Sequence, residues 1–134
     1  MVTSSMRGAA AYARVGVESS VMSATPHRLI GMLFDGAQAS IRAARLHMHN
    51  GDVAEKGKAI SRAIDIVNQG LLAALDHERG GELAQRLEQI YDYVVRLLLQ
   101  ANLHNDEQRL DEAARLLEDI GSAWREIGQQ VDGY

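Results

Sequence analysis

The chain has 134 residues, enough for one domain with a real core. Its net charge is −4 and its arginines are scattered, so the basic stripe of a nucleic-acid binder is missing. With no cysteine, a disulfide framework, a thiolate nucleophile and a cysteine-ligated zinc are all excluded. No apolar run suits a signal peptide or a membrane span, which predicts a cytoplasmic protein without membrane insertion.

The first segment, residues 1–25, holds Tyr12, Val15, Val17, Val21 and Met22 but little charge. A tail meant only for solvent is richer in charge, so this one is expected to dock on something. Thr25 and Pro26 are a cap and a first-turn proline, and start a helix over residues 26–48. Its inward positions are Ile30, Leu33, Ala37, Ile41, Ala44 and Met48, and Asn50-Gly51 stops it. Asp52 and Glu55 open a second helix with the stripe Ile60, Ile64, Val67, Leu71 and Ala74. After Gly80-Gly81, a third helix starts near Glu82 and buries Leu83, Leu87, Ile90, Val94, Leu97 and Ala101. Following Asn105-Asp106, the fourth carries Leu110, Ala113, Leu117, Ile120, Trp124, Ile127 and Val131 at alternating steps of three and four. Such seams, joined by short connections, predict an all-α, antiparallel up-down four-helix bundle over residues 26–131.

Each helix carries more apolar or small surface than one seam requires. Ala84, Tyr91, Val95, Leu98 and Asn102 form a second stripe on helix three, and Leu29, Met32, Gly36, Ser40 and Ala43 flank helix one. On helix four, Ala114, Gly121 and Gly128 fall seven apart. A glycine inside a helix costs about 1 kcal/mol against alanine, so repetition on one flank points to close approach by another segment. Two readings stand: these stripes widen the core, or they line a groove for a partner. Leu98→Asp separates them, because it unfolds a core but only weakens a groove.

Catalytic chemistry finds no foothold. His47 and His49 are two apart, and helical histidine ligands pair at four. The Glu-x-x-His motif of bundle di-iron sites is missing, which predicts no metal and no cofactor. Asp76, His77 and Glu78 read as a solvated cluster, and Asp92 with Arg96 as an ion pair on one helix face. The rival from another class is a histidine phosphotransfer domain, with Arg45 and Ala43 near His47.

Ala11-Tyr12-Ala13, Gly16-Val17-Glu18-Ser19, the run from Val21 through Ile30, Met32 through Ala37, Tyr91-Asp92-Tyr93, Arg96 through Leu103, Asn105-Asp106 and Ala123-Trp124-Arg125 follow one another in this order. Together these blocks resemble the FliS family of flagellar export chaperones, in its enterobacterial type. The resemblance implies a cytoplasmic bundle without enzymatic activity that binds the disordered C-terminal segment of flagellin. It would prevent premature polymerisation and assist delivery to the export gate protein of the flagellar type III system. It also implies that the N-terminal segment caps the bundle and moves when the client arrives, with Tyr12 in the interaction, and it leaves room for an anti-sigma factor as a second partner. Ala9 departs from the larger apolar residue of enteric relatives, which predicts looser docking of the tail. A client that orders on binding uses apolar grooves. The expected contact residues are Tyr12 and Val17 in the tail, Leu29 and Met32 on helix one, and Tyr91, Val95, Leu98 and Asn102 on helix three.

Overall fold

Residues 24–131 are described by the computed structural model, with side chains through Gly128. Helix α1, Pro26–His49, begins where the Thr25 hydroxyl accepts a hydrogen bond from the Arg28 amide at 3.0 Å. Gly51, with φ of 72°, turns the chain into α2, Val53–Asp65, and Asp52 caps this helix through the Glu55 amide. The Asp76 carboxylate caps α3, His77–His104, by accepting from the Glu78 and Arg79 amides. Gly81 breaks the helical path there with φ of 50°, so the straight run of α3 starts at Glu82, where the sequence places it. Asn105 ends α3 in the left-handed conformation at φ 52°, and α4 follows over Glu107–Val131. Asparagine is one of the few residues besides glycine that adopts this conformation readily.

These helices form the expected antiparallel four-helix bundle. Helix α1 packs on α2 and α4, and α3 packs on α4 and, less closely, on α2, giving the ring order α1, α2, α3, α4. The core contains Phe34 and Ile41 from α1, Ile60 from α2, Val94, Leu97 and Leu98 from α3, and Leu110 and Leu117 from α4. Each such side chain contributes about 1.5–3 kcal/mol on burial, which is why the seams decide the fold.

One departure from plain α geometry follows α2. Its continuation, Ile66–Leu72, is a π-helical segment, which puts Ile66, Val67, Gly70 and Leu71 all inside. A wider turn carries an extra residue per turn and so rotates successive side chains differently from an α-helix. Gly70 is what the crossing demands: a Cβ there would lie 2.9 Å from Leu33 Cδ1.

Two predicted core positions fall outside. Leu83 is 65% and Ile127 49% exposed, because both lie toward the end of the bundle where fewer facing side chains can cover them. Conversely, the second stripe of helix three is largely core: Ala84, Tyr91 and Leu98 are buried. The small residues of the other flanks serve contacts inside the bundle. Gly121 lies against Phe34, with 3.3 Å available to an added Cβ, and Gly36 faces Ile66. At the same end as Leu83 and Ile127, His27 and Trp124 stack with ring centroids 4.0 Å apart, and the Trp124 indole N–H donates to the His27 carbonyl at 2.8 Å. The tail lies outside the described residues, and with it the expectation that it caps the bundle.

Candidate functional site: the groove between α2 and α3

Helix α2 packs less closely on α3 than on α1, and a cleft of about 480 Å³ opens between α2 and α3. Gly57, Lys58, Ser61, Arg62 and Asp65 line it from α2, and Asn102 from α3. Gly57 and Ser61, four apart, share a helix face and leave that wall shallow. The nearest atom to a Cβ added at Gly57 is Asn102 Oδ1, at 3.9 Å, so the position faces open space and Asn102 across the cleft. Beside Asn102, α3 presents Val95, half-buried, then Leu99 at 54% and Leu103 at 78% exposure. A single exposed leucine is ordinary, but two on successive turns beside a cleft form an apolar rim that water covers poorly.

Lys56 fixes this seam from below. It is only 4% exposed, and its ammonium donates to the Asn102 carbonyl at 3.2 Å and to Asn105 Oδ1 at 3.0 Å. Among the described residues it forms no ion pair, so its charge is met by carbonyl oxygens at the negative end of α3. The same contact ties the turn bearing Asn102 and Leu103 to α2.

The expected contact residues divide. Val95 and Asn102 lie on the groove side of α3. Leu29, Tyr91 and Leu98 are buried in the core at 4%, 4% and 0% exposure. Met32, half-buried, packs against the core from α1, one turn from the Gly36 that meets Ile66, and so lies toward the π segment, away from the Gly57–Asn102 cleft. Tyr12 and Val17 lie outside the described residues. Leu99, Leu103, Gly57 and Ser61 went unselected by sequence reasoning. For Leu99 the signal was the nearly all-round apolar surface of the run from Tyr91 to Leu99, which a helix with one covered face does not need; Leu103, Gly57 and Ser61 carried none.

Burial pushes the Tyr91 hydroxyl up to about 12, and the Glu112 carboxylate, accepting from the Tyr93 hydroxyl at 2.6 Å, raises Tyr93. Both phenols therefore stay neutral at physiological pH. His49 Nε2 is engaged by Glu107 Oε1 at 2.8 Å. The described residues contain no group of three or more His, Cys, Asp or Glu able to hold a metal, and none of their helices is long and apolar enough to cross a membrane.

A cleft with an apolar rim and no catalytic constellation suits a polypeptide ligand. Comparison with known proteins decides the family: the model for "Flagellar protein FliS" matches residues 8–131. The chain belongs to the FliS family. It is 54% identical over 124 residues to the flagellar secretion chaperone FliS of Salmonella typhimurium, covering 92% of each chain. To the Escherichia coli chaperone it is 45% identical over 120 residues, covering 90% of this chain and 88% of that one. To the Bacillus subtilis chaperone it is 35% identical over 112 residues, with 84% and 82% covered. FliS is a chaperone family and not an enzyme family, which removes phosphotransfer at His47.

Proposed function

We propose that this FliS protein is a cytoplasmic flagellar export chaperone whose α2–α3 groove receives the disordered C-terminal segment of flagellin. The observation that carries the reading is the juxtaposition of the cleft beside Gly57 and Asn102 with the exposed Leu99 and Leu103 on its rim. An amphipathic client segment that folds as it binds would lay its apolar face along that rim, its ordering entropy offset by the apolar area removed from water. Covering those client residues keeps them from filament contacts, and the covered segment is then presented to the export gate protein. Tyr12 and Val17 would complete the site from the tail, competing with or joining the client through a high local concentration.

The test is calorimetric titration of the full chain with a peptide of the last forty or so residues of the cognate flagellin, repeated after deletion of residues 1–16. Coupled folding of the client against the exposed Leu99 and Leu103 predicts binding with a large negative heat-capacity change. Weaker binding of the deleted form assigns the tail to the site. No binding by either form refutes the flagellin reading and turns attention to an anti-sigma factor or another export substrate.

A further inference from the structure

A second groove, of about 600 Å³, runs along the seam between α1 and α4. In the ring order of the bundle this seam lies opposite the α2–α3 seam, so the two can be filled at once. Its chemistry is also different. Ile41 and Ala114 form the floor, and the Gln38 amide donates to the Ala114 carbonyl at 2.8 Å, holding the two walls together beneath it.

The arginines lining this groove fall into two classes. Arg45 is engaged by Asp111 and, at 3.5 Å, by Glu107, while Arg125 pairs with Glu118 at 2.9 Å and with Asp35 at 3.8 Å. Arg42 and Arg115, on opposite walls, are exposed and have no ion pair among the described residues. Asp119, also on the lining, is likewise unpaired among them. The groove therefore offers a guanidinium free of ion pairs on each wall, and carboxylates toward the Arg125 end.

That pattern selects its occupant. From Asp35 to Arg45 the α1 wall spans ten helical steps, about 15 Å at 1.5 Å per residue, which is too long for a small anion and fits about three turns of a helix. A uniformly anionic polymer would meet repulsion from Asp35, Glu118 and Asp119, whereas a helix with carboxylates at one end and cations at the other would match both parts. We propose that the α1–α4 groove is a second docking site, taken by a mixed-charge helical segment of a partner protein, and that it stays open while the client occupies the α2–α3 groove. The simultaneous occupancy rests on the flagellin reading; the docking site itself does not.

The probe is a fluorescein-labelled synthetic helix of about sixteen residues, carrying two glutamates four apart in its first half and two lysines four apart in its second. Anisotropy is read on the full chain, alone and saturated with the flagellin C-terminal peptide. The expected result is saturable binding that weakens about tenfold in the Arg42→Glu/Arg115→Glu double variant, returns in that variant when the probe's glutamates are replaced by lysines, and survives saturation with flagellin peptide. Equal binding by wild type and double variant, or no binding by either, overturns the proposal. So does equal binding of a polyuridine oligonucleotide, which would make the groove a general anion surface. A concentration-dependent dimer in sedimentation that the double variant loses would assign the groove to a second copy of the chain, and would also overturn it. If flagellin peptide binds nowhere, the probe measurement still stands, so the two readings fail separately.

Discussion

Leu98 and Leu103 lie five residues apart on the same helix, and their environments give opposite expectations for the same substitution. Leu98 is fully buried, so Leu98→Asp places a charge in the core and is expected to abolish cooperative folding, read as loss of a thermal transition by circular dichroism. Leu103 is 78% exposed, so Leu103→Asp should leave the melting temperature close to wild type and act on client binding alone. Tyr91 adds a pH expectation. Its hydroxyl sits at about 12 in the folded chain against 10.0 when free, so between those values the unfolded chain has lost a proton that the folded chain keeps. Stability is accordingly full below pH 10 and falls as pH rises toward 12, by about 1.4 kcal/mol per unit from this group. Urea titrations across that range should show the alkaline loss shrinking in Tyr91→Phe, and an identical slope in both proteins would refute the assignment.

At the scale of the elements, the seams differ in how they are closed. The crossing of α1 over the π segment depends on Gly70, where an added methyl would press on three carbons of the buried Leu33 side chain at 2.9, 3.0 and 3.4 Å. Gly70→Ala is expected to cost about 1–3 kcal/mol, the range for overpacking a filled core, and a stabilised protein in chemical denaturation would contradict this. The α2–α3 seam depends on Lys56 instead. Lys56→Met keeps the buried stem but removes the donor to the Asn102 carbonyl and Asn105 Oδ1, so amide exchange by mass spectrometry should quicken in the last turn of α3 while the middle of α1 stays protected. The helices themselves were legible in the sequence because their ends carry local chemistry: Thr25 with Pro26, Asp52, Asp76 and Asn105 all cap or terminate where their residue types direct. The π segment was not, since nothing in the run from Ile66 to Leu72 distinguishes it from an apolar α-helix until Leu33 is laid across it.

For the whole molecule, the four-helix arrangement follows from the seams, but the use of the surplus surface depends on how closely each pair of helices approaches. Period alone assigns a residue to a face; it does not say whether a neighbour covers that face. Leu98 and Asn102 are four apart on one stripe, yet the first is fully buried in the core and the second lies at the cleft. In the same way Leu83 continues the core period of α3 but runs past the neighbours that would bury it. The candidate site was thus half visible, through Val95 and Asn102, while Leu99 and Leu103 needed the bundle assembled.

The most direct measurement is titration of the flagellin C-terminal peptide into the Leu99→Asp/Leu103→Asp double variant beside the wild-type chain, with thermal unfolding of both. If the α2–α3 rim holds the client, the double variant loses at least about tenfold in affinity while its melting temperature stays near wild type, since both side chains already face water. Undiminished affinity in a folded double variant would contradict that account and place the client on another face of the bundle.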